Sequence, residues 1–73
     1  MTKRRLSNRI RLERFLAKEM TQAELGQHVG VTRQTIAAIE SGRYAPSLQT
    51  AFVIAEVFGK PLEEIFHWEV VDR

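Results

Sequence analysis

The residues with the clearest chemical potential lie together between positions 33 and 38. Arg33 and Gln34 are followed by Ala37 and Ala38, where an exposed helix would usually carry charged side chains. A guanidinium group pairs with the two acceptors of guanine, and a side-chain amide pairs with the donor and acceptor of adenine. Alanines would let the helix backbone approach a DNA groove closely. A small-residue face packed against another helix explains this segment equally well when it is considered alone.

Residue patterns typical of catalysis or metal binding are weak. His28 and His67 are isolated, and the chain has no cysteine that could join them as a metal ligand. Glu63 and Glu64 are adjacent, so their side chains would diverge on a helix and form a poor acid–base pair. No glycine-rich loop follows a strand to hold a nucleotide. We therefore predict no catalytic residues, no metal site and no cofactor.

The composition is that of one small globular domain with an uneven charge distribution. Of the 73 residues, 44% are hydrophobic and 27% are charged, with no apolar run long enough to span a membrane. Residues 1–43 hold nine Lys or Arg against four Glu, a balance of +5, and residues 44–73 hold two against five acidic residues, a balance of −3. The basic half indicates either an acidic partner or only a solvated surface. Because the chain lacks a secretory signal and cysteine, we expect it in the cytoplasm.

Apolar periodicity predicts the first helix near the amino terminus. Leu12, Phe15 and Leu16 are spaced i, i+3, i+4, which predicts a helix from about Ser7 to Lys18 with these side chains in the core. Phe15 is expected in the core more firmly than Ile10.

The second and third helices are marked by signals at their ends. Thr21 and Glu24 have the spacing of a capping box, and Gly30 would end the second helix in a left-handed conformation. Thr32 would then cap the third helix. Because each residue advances about 100° around a helix, the isoleucines of this helix would lie on the side opposite its alanines.

Two more helices follow in the second half of the chain. Ser47 would cap a fourth helix that is apolar nearly all round, and Gly59 would end it. Val53 and Val57 would lie on its outer side. Pro61 would begin a short fifth helix.

The C-terminal tail changes from helical to alternating periodicity. Phe66, Trp68 and Val70 alternate with their neighbours, a pattern typical of a strand. Because a lone strand leaves backbone groups unsatisfied, the tail should pair with a second chain or lie disordered. We predict an antiparallel ribbon of two tails, and the alternative is that Trp68 covers the core of its own chain. The predicted dimer contacts are Val53, Val57, Phe66, Trp68 and Val70.

The segment QAELGQHVGVTRQTIAAIE, residues 22–40, combines these signals. It has a small residue at Gly26, a turn glycine at Gly30 and apolar anchors on both sides. This pattern resembles the helix-turn-helix of the Cro and phage-repressor family, also called the Xre family, and the likeness continues through ESGRYAPSLQTAFVIAEVFGKPLEEIF. The resemblance implies an all-α, five-helix, lambda-repressor-like DNA-binding domain at residues 1–66. The tail at residues 67–73 is expected to be a short strand that serves dimerisation.

By this resemblance, the third helix would face double-stranded DNA. Arg33, Gln34, Ala37 and Ala38 would read the bases. The residues expected at the DNA backbone are Gln22, Thr32, Thr35, Ser41, Arg43 and Tyr44. For Thr35, an ordinary place in the first helical turn is an equal alternative, and for Tyr44, packing beside the core is the favoured one.

The resemblance also implies a sequence-specific transcriptional regulator. A repressor that acts as a homodimer on an inverted repeat is the default expectation, with its reading helices one DNA turn, about 34 Å, apart. The alternative is an antitoxin-like module that grips a partner protein and binds DNA secondarily, and an enzyme is a remote third reading. Family members more often have alanine where this chain has Gly26, and the glycine should cost about 1 kcal/mol of helix stability relative to alanine.

Overall fold

Residues 2–71, the part of the chain that the computed structural model describes, form five helices and a two-stranded antiparallel sheet. The elements in chain order are β1 (Lys3–Asn8), α1 (Ile10–Leu16), α2 (Gln22–Val29), α3 (Arg33–Glu40), α4 (Leu48–Phe58), α5 (Leu62–Ile65) and β2 (Phe66–Val71). The five predicted helices are confirmed. The all-α class is inexact, because the two ends of the chain pair as strands.

The strand predicted in the tail exists, but its partner lies in the same chain. β2 pairs antiparallel with β1 in a register that sets Leu6 opposite Trp68. The sequence of β1, KRRLSN, hides this strand because a basic segment with one apolar residue shows no alternation. The first helix consequently begins at Ile10 rather than Ser7. The predicted division after residue 66 falls within β2, and residues 1, 72 and 73 lie outside the described part of the chain.

The side of α1 that faces the core is opposite to the side that its apolar spacing predicts. Ile10 is fully buried, whereas Leu12, Phe15 and Leu16 are 44%, 64% and 60% exposed. The prediction that these three side chains form the core stripe of the helix is therefore wrong.

The inward side of α1 carries a buried carboxylate instead. Glu13 is 4% exposed, and its Oε2 atom accepts a hydrogen bond from Lys60 Nζ at 2.9 Å. Arg9 Nε lies 3.9 Å from the same oxygen. Two cations thus compensate a charge that would be costly to bury alone. Apolar periodicity cannot recognise such a helix, because it assumes that charged residues face water.

One hydrophobic core joins the five helices to the start of β2. Its members are Ile10, Leu25, Ile36, Ile39, Ala51, Ile54, Ala55, Ile65 and Phe66. Phe66 is thereby corrected from a dimer contact to a core residue, because its side chain is enclosed within its own chain. Trp68 and Val70, which follow it on the same face of β2, are exposed.

The helix ends follow the predicted signals. The Thr21 hydroxyl accepts from the Glu24 amide at 3.0 Å, and the Glu24 carboxylate accepts from the Thr21 amide at 2.8 Å, which completes the capping box. The hydroxyls of Thr32 and Ser47 likewise accept hydrogen bonds from the backbone amides three residues further along the chain. Gly30 ends α2 with a φ of 88°, in the left-handed region that favours glycine.

The turn between α2 and α3 leaves no room for a side chain at Gly26. A Cβ atom there would lie 2.7 Å from the carbonyl oxygen of Val31. The Gly26 carbonyl in turn accepts hydrogen bonds from the amides of Gly30 and Val31. A small residue is needed at this position, as the sequence indicates, and the obstacle is the backbone that leads into α3.

Gly26→Val should therefore destabilise the fold. A branched side chain would collide with the turn carbonyl, so we expect the free energy of unfolding to fall by about 2–3 kcal/mol, as measured by chemical denaturation. The matched control is Gln27→Val on the exposed side of α2, which should cost less than about 1 kcal/mol. Similar losses in the two variants would contradict the close contact at Gly26.

Candidate nucleic-acid interface

α3 exposes the four side chains that the sequence singles out for base reading. Arg33 and Gln34 are exposed at its amino end, and Ala37 and Ala38 are partly exposed one turn further on. At about 100° per residue, the four positions fall within about 140° of the helix surface. The isoleucines of α3 lie in the core. The structure therefore brings the four residues together on one side of a helix whose other side is fixed.

Two threonines organise the first turn of α3. The Thr32 hydroxyl accepts from the Thr35 amide at 3.1 Å, and the two hydroxyl oxygens lie 3.0 Å apart. Thr32 is exposed and Thr35 is half-buried. Thr35 thus has a structural role in the first turn, and its contact with a DNA backbone stays a prediction.

The loop after α3 is closed by hydrogen bonds to one carbonyl group. The Ala38 carbonyl accepts from the amides of Arg43 and Tyr44, at 3.0 Å and 3.2 Å, and from the Ser41 hydroxyl at 3.2 Å. Arg43 Nε donates to the Ser41 hydroxyl at 3.1 Å. Gly42 permits this tight loop with a φ of 82°. The exposed Arg43 cation is consequently held just beyond the carboxyl end of α3.

A buried ion pair ties that same end of α3 to α1. Both Glu40 carboxylate oxygens accept from Arg14, and the Nη2–Oε1 distance is 3.1 Å. The side chains of Arg14 and Glu40 are only 15% and 8% exposed. Arg14 Nη1 also donates to the Met20 carbonyl at 2.8 Å, and Gln22 Nε2 donates to Glu40 at 3.2 Å. Sequence analysis missed this cluster because the paired residues are 26 positions apart, with no local pattern that links them.

The cluster changes the setting of Gln22. Its side-chain amide donates one of its two N–H groups to Glu40. The predicted contact of Gln22 with a DNA phosphate can use the other side-chain N–H or the backbone amide, and it stays a prediction.

Asn8 joins three elements behind the candidate interface. Its Nδ2 atom donates to the Ile39 carbonyl at 3.0 Å, and its Oδ1 atom accepts from the Ile10 amide at 3.1 Å. The end of β1 is thus bonded both to the start of α1 and to the last turn of α3. A groove between β1 and the loop after α3 is lined by Arg5 on one side and by Ser41 on the other. β1 therefore adds a cation beside the loop, for which the only sequence signal is the basic first half.

Other classes of site find no support in the described residues. Within residues 2–71, no group of three or more His, Asp or Glu side chains is placed to hold a metal ion. No helix in this part of the chain combines the length and the apolar character needed to cross a membrane.

Comparison with known proteins identifies the arrangement. Residues 9–65 match the helix-turn-helix family. An uncharacterised HTH-type transcriptional regulator of Methanocaldococcus jannaschii is 47% identical over 64 residues, which cover 88% of this chain and 96% of that protein. One from Archaeoglobus fulgidus is 51% identical over 59 residues, covering 80% and 83%. The crystal structure of a candidate DNA-binding protein from Bacteroides fragilis shares the fold, with a TM-score of 0.73 at 24% identity over 85% of this chain and 98% of that one.

Removing one partner of the buried ion pair should loosen α3. Glu40→Gln would leave the Arg14 cation buried without a counter-charge, so we expect the free energy of unfolding to fall by about 3–5 kcal/mol in denaturation measurements. Replacing both partners, Arg14→Met with Glu40→Leu, should recover most of the loss because no charge then remains buried. Glu19→Gln, at an exposed position, is the control. A loss at Glu40 no larger than the loss at Glu19 would show that the pair does not stabilise the fold.

Proposed function

Because the chain belongs to the Cro and phage-repressor (Xre) family of helix-turn-helix transcriptional regulators, we propose that it represses transcription as a homodimer bound to an inverted-repeat DNA site. The observation that carries the proposal is the exposed side of α3, where two long hydrogen-bonding side chains precede two partly exposed alanines. A major groove accepts such a helix, since its edges offer a distinct donor and acceptor pattern for each base pair. The proposed site of action is the cytoplasm, where a regulator meets its DNA.

The proposed base contacts follow from side-chain chemistry. Arg33 donates two hydrogen bonds to the O6 and N7 acceptors of a guanine, and Gln34 pairs with N6 and N7 of an adenine. Ala37 and Ala38 let the helix lie deep in the groove because their side chains end at a methyl group. The buried isoleucines of α3 support this role because they keep the helix from rotating about its axis.

The proposed backbone contacts surround α3. Gln22 and Thr32 lie at the amino ends of α2 and α3, where free amides and the helix dipole favour a phosphate. Ser41, Arg43 and Tyr44 occupy the loop at the other end, and Arg43 contributes a full positive charge. Thr35 completes the proposed set. Contacts of this kind position the protein on the duplex without selecting a sequence.

The proposed dimer forms at the open edge of the sheet, along β2. β2 has β1 on one edge, so its other edge can pair with β2 of a second copy and form a four-stranded sheet. Trp68 and Val70 would be covered in that contact, and both are more than half exposed in the single chain. Val53, which is half-buried on α4, completes the proposed set, whereas Val57 is corrected from an outer-side dimer contact because it packs against the core of its own chain. Two-fold symmetry would then set the α3 helices one DNA turn, about 34 Å, apart.

An antitoxin-like protein that grips a second protein is the alternative. The exposed apolar side chains of α1 and α4 favour it, since such surfaces often mark protein contacts. Copurification of one defined partner in a fixed ratio would support this alternative. Regulators of this family are generally not enzymes, and we assign no reaction to the chain.

Selection of bound sequences from random duplexes tests the proposed function. The parent protein should recover an inverted repeat, and Gln34→Ala should relax preference at one position per half-site at a cost of about 1–3 kcal/mol on the best site. Gln49→Ala, an exposed amide on α4, is the matched control and should change nothing. An unaltered base preference in both the Gln34→Ala and Arg33→Ala proteins would overturn the assignment of base reading.

Arg43→Ala should weaken binding to all duplexes alike. Each phosphate charge that a protein neutralises adds about 0.9 to the slope of log affinity against log salt concentration, so the slope should flatten by that amount per bound copy. Salt titrations of binding to the best site and to an unrelated duplex measure both effects. Gln22→Ala, which removes no charge, should keep the parental slope. Retention of the parental slope by the Arg43→Ala protein would remove Arg43 from the proposed phosphate contacts.

A further inference from the structure

Two exposed apolar stripes lie outside the proposed DNA and dimer surfaces. The α1 stripe consists of Leu12, Phe15 and Leu16, and the α4 stripe of Leu48 and Phe52, which are 67% and 54% exposed. Neither stripe belongs to the core, and α1 uses its other side for that purpose. Single exposed apolar residues are common on protein surfaces, but these five large side chains form two groups, and such patches mark contact surfaces.

The α1 stripe has a basic border. Leu12 and Phe15 line an open groove of about 530 Å³ together with Arg9 and Arg11. Glu40 also reaches this groove, but its carboxylate is neutralised by the buried ion pair with Arg14. Arg9 is partly compensated by Glu13, whereas Arg11 is exposed on the same outward side as the apolar stripe. The groove therefore fits an apolar surface that carries negative charge.

The α4 stripe has the complementary character. Leu48, Phe52 and Glu56 are spaced by four residues, so they form one ridge along the helix, and all three are exposed. An apolar ridge that ends in a carboxylate is the kind of surface that the α1 groove fits.

The two stripes of one molecule cannot meet each other. Leu16 and Val57 line one groove, which places α1 beside the Val57 side of α4. Phe52 precedes Val57 by five residues and therefore lies about 140° away around the helix. The α4 stripe thus faces away from the α1 of its own chain, and any contact between the stripes joins two molecules.

We propose that the α1 stripe of one copy docks on the α4 stripe of a second copy, head to tail. Pairing of like stripes is disfavoured, because two α1 stripes would oppose Arg11 with Arg11 and two α4 stripes would oppose Glu56 with Glu56. A contact between different surfaces does not close on itself and can extend from one copy to the next. This association is separate from the proposed dimer, which uses β2.

Charge exchange at the two stripes tests the proposal without DNA. Sedimentation at increasing concentration should show an average mass that rises beyond that of a dimer. Arg11→Glu and Glu56→Arg should each weaken this rise at least about tenfold in association constant, which corresponds to 1.4 kcal/mol. An equimolar mixture of the two variants should restore association, because only mixed neighbours then have opposite charges. The double variant with both changes in one chain should also associate.

Matched controls separate this contact from general charge effects and from the proposed dimer. Arg33→Glu and Glu63→Lys make the same kinds of charge reversal at exposed positions outside the Arg11–Glu56 contact. They should leave the association constant within about twofold of the parent, a difference of under 0.5 kcal/mol. Trp68→Ser should remove the dimer and leave mass growth that starts from the monomer. A parent mass that never exceeds a dimer, or a mixture that does not recover, would overturn the head-to-tail contact whatever the fate of the dimer. Recovery in the mixture supports a second copy of this chain as the occupant, since only this chain is present.

Discussion

The orientation of α3 depends on the pairing of Glu40 with Arg14 in the interior. Two charges withdrawn from water stabilise the fold only while each compensates the other, so neither helix can rotate without stranding a buried charge. Met20 and Gln22 join the same cluster and bring the start of α2 into it. Asn8 reaches the last turn of α3 from the sheet. The helix that carries the candidate base-reading side chains is therefore held at its carboxyl end by polar bonds and along its length by the core.

The same pairing explains why α1 shows an apolar side to water. Arg14 must point inward to reach Glu40, and Glu13 must point inward to reach Lys60. Since each residue advances about 100°, two adjacent inward positions leave Leu12, Phe15 and Leu16 on the opposite side of the helix. Rotating α1 to bury these three side chains would strand the buried charges of Glu13 and Arg14. The ion pairs therefore fix which side of the helix faces water.

The exposed surfaces of the molecule consequently differ in the chemistry of their side chains. The side of α3 that faces outward is small and polar, the sheet exposes aromatic and aliphatic side chains beside an open edge, and α1 and α4 carry apolar stripes of opposite charge. α1, α3 and α4 each pack their other side in the single core, and the sheet joins the core through Phe66. A chain of 73 residues can offer several contact surfaces because its elements are short and each is buried on only one side.

The sequence by itself determined the features that depend on neighbours along the chain. The capping box at Thr21, the turn at Gly30, the buried isoleucines of α3 and the strand character of the tail all arise from spacings of two to four residues, and each is present. Tertiary structure alone decided the pairing of β1 with β2, the burial of Phe66 and the rotation of α1. These features depend on partners far away in the chain, such as Glu40 for Arg14 and Lys60 for Glu13. No local pattern encodes them, because a charged residue that finds its counter-charge in the interior has the same local spacing as one that faces water.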